Sequence, residues 1–237
     1  MNKVPDERHP NSPLAEVVFE IWFPGETAIE CRRHEIQERL RDGYPNLIVP
    51  VAQPGMLLAY EPYRFERKDG STGVTLSLNR FGYYSRAYPG FEVFKAECLK
   101  LIELFSGFVP VKTLNGIVLR HINIIPFVRD GGVIPFEDSF VLGEKFLELL
   151  PSKFENLAMT FVLPIDGAKI TTRIESISNN QTGQEAILLD LYHATMGELY
   201  LSEVRHYLNE AHAQSASLFN RLITQSYRDY ITGEEAE

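Results

Sequence analysis

The chain has 237 residues, 44% of them hydrophobic and 23% charged, a balance that points to a packed globular fold and away from wholesale disorder. Its net charge of −9 disfavours nucleic acid as a partner, because non-specific affinity for phosphates needs many Lys and Arg contacts. Its most apolar stretches, such as 17–19 and 122–127, fall far short of the ~18 residues that span a bilayer, so no membrane partner is expected.

The length lies between one large domain and two ordinary ones. Residues 1–12 carry Asp6, Glu7, Arg8 and His9 with two prolines and no apolar run, which predicts a flexible leader without a secretory signal and a cytoplasmic location. Cys31 and Cys98 both fall in predicted helices, where a reducing compartment would keep them as small buried thiols.

In 13–23 the apolar set Val17, Phe19, Ile21 and Phe23 alternates with Glu16, Glu20 and Trp22, the period of a strand. Pro24-Gly25 ends it. Thr27 with Glu30 reads as the capping box of a helix that buries Ile29, Ile36 and Leu40 and stops at Gly43. Its Arg32, Arg33, Arg39 and Arg41 are interleaved with acids, which predicts a solvated face with i,i+4 ion pairs. Strands follow at 46–53, 56–66, 72–80 and 81–87, divided by Pro54-Gly55 and Lys68-Asp69-Gly70. A helix after Pro89-Gly90 then spaces Phe91, Phe94, Cys98, Leu101 and Phe105 by three and four.

The order then recurs. A strand is expected at 117–127, a helix at 136–150, strands at 157–165, 168–178 and 185–194, and a closing helix with Leu201, Val204, Leu208, Ala211, Ser215, Leu218 and Leu222 on one seam. Residues 74–78 align with 187–191, each read as lying just before a closing helix. The expectation is an α+β chain: a tandem pseudo-repeat of β-α-β(3-4)-α, with halves 13–110 and 111–232, a mainly antiparallel sheet with helices on one face, and an acidic tail at 233–237.

No catalytic constellation stands out. Glu203-x-x-His206 has the spacing of a di-iron ligand pair, but those sites need a second such motif, which is absent, so no metal is assigned. Gly-x-Ser-x-Gly, Gly-x-Gly-x-x-Gly and the phosphate-binding loop are also missing, and no cofactor or catalytic residue is assigned. Gly131-Gly132 reads as a turn.

The polar sides of the strands hold what remains: Glu16, Glu20 and Trp22; Thr75, Ser77 and Asn79; Thr171, Arg173 and Glu175; Asp190 and Tyr192. Arg120, in apolar company, needs a partner, and Glu20, Glu175 or Asp190 could supply it. The pair would be structural, or Arg120 would be a two-pronged donor to an anionic or planar group with Trp22 as platform. His121 and Asn123 fall on the opposite side of that strand and are assigned internal hydrogen bonds. His212, off the helix seam, is assigned capping or loop anchoring ahead of ligand contact.

Three segments resemble a known family: Pro13-Leu14-x-Glu16-Val17-Val18-Phe19-Glu20-Ile21; Gly116-x-x-Leu119-Arg120-x-Ile122-Asn123; and His212 with Phe219 and Ile223-Thr224. The chain resembles a sporadically distributed, uncharacterised prokaryotic family, although His121 stands where that family suggests an aromatic. The resemblance implies no reaction. A scattered distribution suits accessory genes such as toxin, antitoxin or phage-defence components.

The leading expectation is therefore a non-enzymatic protein-binding or regulatory module whose open sheet face or edge engages a protein partner or a second copy of itself as a homodimer. The alternative is a small-molecule receptor or enzyme with a pocket around Arg120. Its candidate ligand- or partner-binding residues are Glu20, Trp22, Arg120, Asn123, Arg173, Glu175, Asp190 and His212.

Overall fold

Alternation places Val17, Phe19 and Ile21 of β1 (Leu14–Trp22) on a fully buried side, and this strand lies near the middle of the sheet. In the computed structural model, which describes residues 9–51, 61–150, 153–179 and 181–233, β1 is hydrogen-bonded to two strands. One is β5 (Arg80–Ser85) and the other β6 (Thr113–Phe127), both antiparallel. Outward from β5 come β4 (Thr72–Ser77), β3 (Tyr63–Glu66) and β2 (Asn46–Ile48). Outward from β6 come β9 (Glu185–Tyr200), β8 (Ala168–Ser178) and β7 (Ala158–Ile165). The result is an open nine-stranded sheet in the order β2-β3-β4-β5-β1-β6-β9-β8-β7, antiparallel at every pairing.

Among the described residues six α-helices accompany it: α1 (Ala28–Leu40), α2 (Phe91–Ser106), α3 (Phe136–Ser139), α4 (Val141–Leu149), α5 (Val204–Leu222) and α6 (Gln225–Thr232). The two core clusters draw their strand residues from one sheet face. One cluster joins Val17, Phe19, Ile21, Val74, Phe81 and Leu119 to Ile36 of α1, Phe94 and Phe105 of α2, and Val204 and Leu208 of α5. A second joins Ile125, Ile174, Ile187 and Leu189 to Phe136, Phe140 and Leu222. Burying each such side chain stabilises the fold by about 1.5–3 kcal/mol. Helix-borne apolar stripes therefore pin this one face.

Several expectations change in detail. The strands at 46–53 and 56–66 shrink to β2 and β3; Pro54-Gly55 and 56–60 lie outside the described residues. Of the leader, residues 9–12 are described, and Asn11 donates its amide to the Tyr230 carbonyl at 2.7 Å. Thr27 does not cap α1 through its side chain; Glu26 does, its carboxylate accepting from the Ala28 amide at 2.9 Å. The ion pairs on α1, Arg33–Glu30 and Arg41–Glu38, are spaced i,i+3. Cys98 is buried, whereas Cys31 is exposed, because it falls on the outer side of α1.

The helix expected at 136–150 is broken at Phe140, whose extended backbone (φ −123°) bridges to Ile223. The strand expected at 185–194 continues to Tyr200, because it follows the long β6 beyond the end of β8. After α5 the chain turns at Ile223 and makes α6, capped by Thr224, whose hydroxyl oxygen accepts from the Tyr227 amide at 3.2 Å. Residues 74–78 and 187–191 are not equivalent in the sheet. The first segment begins in β4 and is separated from α2 by β5, whereas the second lies in β9, which leads to α5.

Candidate functional site

The strand register decides which side chains share the face opposite the helices. Trp22 lies opposite Arg80 and Gly116, Glu20 opposite Gly82 and Val118, and Arg120 opposite Val18 and Tyr192. Asp190 lies opposite Ile122 and Arg173, and Glu175 opposite Leu188. Glu20, Trp22, Arg120, Arg173, Glu175 and Asp190 therefore meet on one surface, with Glu16, Thr75, Ser77, Tyr84, Thr171 and Tyr192 around them. Asn79 does not join them: it sits in the turn between β4 and β5.

At the centre, Arg120 donates from Nε to Asp190 Oδ1 at 2.8 Å and from Nη2 to Oδ2 at 2.7 Å, a two-pronged diagonal pair across β6 and β9. The Asp190 side chain is 8% exposed and that of Arg120 39%. These bonds hold the guanidinium pKa above its ordinary value, against the opposing effect of burial. Of the three partners expected for Arg120, Asp190 takes it: Glu175 lies on β8, which does not border β6, and Glu20, on the other bordering strand, is held by Trp22 and Arg80.

Glu20 is engaged elsewhere. It accepts from the Trp22 indole Nε1 at 3.0 Å and pairs with Arg80 at 3.4 Å, while the Arg80 guanidinium lies 5.9 Å from the Trp22 ring centre. Arg86 bonds Glu16 at 3.1 Å and lies 5.0 Å from the ring centre of Tyr84, whose hydroxyl donates to Glu66. Arg173 pairs with Glu175 along β8. Burial raises the Tyr192 phenol pKa, and the nearby Glu20 carboxylate adds to the shift.

Two glycines let large side chains lie flat on this face. A Cβ at Gly73 would strike the Tyr84 ring, and one at Gly116 would meet Met196 Sδ at 2.6 Å. The surface is thus a lattice of internally matched charges interleaved with Trp22, Tyr84, Tyr192 and Met196.

Asn123 and His212 lie away from this face. Asn123 is buried on the helix side and donates its amide to the Leu189 carbonyl at 3.2 Å. His212 of α5 stacks on Phe91 of α2, with ring centres 3.8 Å apart and planes 5° apart. Beside it, 6.1 Å away, is His121, and His193 accompanies them, its Nε2 2.6 Å from Gln214 Oε1. Burial lowers all three imidazole pKa values, that of His121 to about 3 and that of His212 to about 4. Among the described residues no three His, Cys, Asp or Glu side chains are grouped to hold a metal ion. His206 pairs with Glu210 at 3.4 Å on the exposed side of α5, and Gly131 and Gly132 form a turn with positive φ.

Arg80, Tyr84 and Arg86 were not singled out from the sequence, although the alternation of β5 marks them: 80, 82, 84 and 86 share one side. His193 was missed for want of any local signal. No protein-family model matches the chain, and neither does any curated protein.

Proposed function

We propose that the chain is a non-enzymatic protein-binding or regulatory module, and that the sheet face opposite the described helices is where another protein docks. The Arg120–Asp190 pair and its neighbours carry this reading, since Arg80, Arg86, Arg120 and Arg173 on the face each already hold a carboxylate. Such a lattice offers a broad, neutralised, aromatic-studded surface, the composition of a protein interface more than of an anion pocket. Trp22 with Arg80 is the natural anchor, because Trp and Arg dominate interface energetics.

The resemblance to a scattered prokaryotic family supports an accessory role, as a toxin–antitoxin or phage-defence component, and the free thiols Cys31 and Cys98 suit the cytoplasm. We also read the chain as a duplicated β-α-β-α unit. The strand order supports it, for β1 and β6 meet at the middle and the strands that follow each begin at opposite edges and step inward to it.

A photo-crosslinking residue at Trp22 tests the docking face in cells. A discrete partner should be captured from Trp22 and not from exposed Arg39 of α1, and Arg80→Glu should abolish the capture. Capture equal from both positions, or a bound small molecule released from the purified protein and lost in Arg120→Ala, would overturn the reading.

A further inference from the structure

The two-residue turn Asp166-Gly167 closes β7 on β8, with Ile165 paired to Ala168. In such a hairpin the closing pair is hydrogen-bonded, and bonded pairs then alternate along the ladder. Ile165, Leu163, Phe161 and Met159 therefore bond to β8, while the amides and carbonyls of Ala158, Thr160, Val162 and Pro164 point outward. Among the described residues β7 is a terminal strand of the sheet, with β8 as its one neighbour there.

Edge strands are ordinarily protected by charge, proline, brevity or a covering element. β7 runs for eight residues, Ala158–Ile165, without a charged side chain, and leaves Val162 54% and Leu163 37% exposed. Its one protective residue is Pro164, whose nitrogen faces outward and cannot donate. The opposite edge, β2, is three residues long.

We infer that β7 pairs with β7 of a second copy, antiparallel across a two-fold axis at Thr160. The register follows from Pro164. Centred on Thr160, the pairing sets Thr160 against Thr160 of the partner subunit and Ala158 against the partner's Val162, giving about six main-chain hydrogen bonds while Pro164 stays outside them. On the face shared with Arg173 it covers Val162 and joins two threonines. On the helix side it brings Met159 against the partner's Phe161, a favourable sulfur–ring contact. No like charges meet across the axis, so a chain of net charge −9 can still self-associate here. The two sheets would run on as one, and the docking face proposed above would be doubled without being covered.

Light scattering on size-exclusion fractions of the full chain at about 100 µM, enough to populate a small, transient interface, reads this out. The expected mass is twice 27.0 kDa for the unmodified chain and near 27.0 kDa for Thr160→Lys, which sets two cations against each other on the axis. Val162→Lys should act likewise, keeping the inference testable if Thr160→Lys misfolds. Trp22→Ala and Arg80→Glu, on the other surface, should stay dimeric. A strict monomer, or a dimer that survives both lysine variants, overturns the inference. A dimer lost only in the Trp22 or Arg80 variants would move self-association to the docking face and leave that separate proposal standing.

Discussion

Asp190 and Arg120 share an ion pair but not an environment, and the difference predicts unequal costs. Arg120→Ala leaves a nearly buried carboxylate without its cation, whereas Asp190→Ala leaves a guanidinium that is 39% exposed and can hydrate. Discounted for solvent screening, urea unfolding should show a loss of about 2 kcal/mol for the first and about 1 kcal/mol for the second. That Arg120 needed a partner was legible from its apolar strand neighbours; that the partner was Asp190 was not, since the choice depends on strand order. The buried histidines give a second prediction. Their folded pKa values lie below the ordinary imidazole range, so the unfolded chain binds more protons, and stability present above pH ~6.5 is lost as the pH falls toward the folded values of about 4 and 3. Lys95 disfavours the charged form of His212 while Glu92 favours it, and Glu210 favours that of His193, so His121, with neither aid, should contribute most. Melting temperature followed from pH 7 to pH 4.5 should decline, and His121→Gln should flatten the decline. His212 illustrates the limit of local reading: its stacking partner, Phe91, lies on another helix, distant in sequence.

Strand periods and turn residues made most elements legible. Val17, Phe19 and Ile21 fix one face, the Asp166-Gly167 turn fixes the β7–β8 register, and the three-and-four seam of α5 buries Val204, Leu208, Ala211, Ser215 and Leu222. Where an element failed, tertiary contact overrode the local pattern. The apolar run at 136–150 suits a continuous helix, but Phe140 turns extended to bridge to Ile223, and the chain breaks there between α3 and α4, with Phe136 and Phe140 both in the second core cluster and their rings 4.6 Å apart. Gly143 makes the fold-over possible, since a Cβ there would collide with the backbone of Glu137. Gly→Ala inside a helix ordinarily stabilises by up to about 1 kcal/mol. Here Gly143→Ala should instead destabilise by about 1–3 kcal/mol, visible as a lowered melting temperature. Phe105→Ala should cost more, about 3–5 kcal/mol, because its ring stacks on Phe81 at 4.6 Å and lies 5.6 Å from Phe23.

At the scale of the molecule, the sequence divides near residue 110 but the core does not divide with it. Leu114, Ile117 and Leu119 of β6 and Val204, Leu208 and Ala211 of α5 pack in the cluster built around β1, α1 and α2. The fragment 13–110, deprived of them, should remain unfolded by circular dichroism, and the full chain should melt in one cooperative transition; two resolved transitions would contradict this. The cause was invisible in one sequence, because which strands pair across a hundred residues is decided by packing and not by any local pattern. The central position of β1 also governs the order of events during synthesis. β1 leaves the ribosome first among the strands, yet its neighbours are β5 and β6, so both of its edges wait for chain not yet made. At about 5–20 residues per second, the interval from Trp22 to Phe127 is on the order of 5–20 s. Until β5 emerges Val17, Phe19 and Ile21 stand on an unpaired nascent strand, and the edge that β6 takes stays open for the full interval, which makes β1 the segment of this protein with the greatest call on a ribosome-associated chaperone.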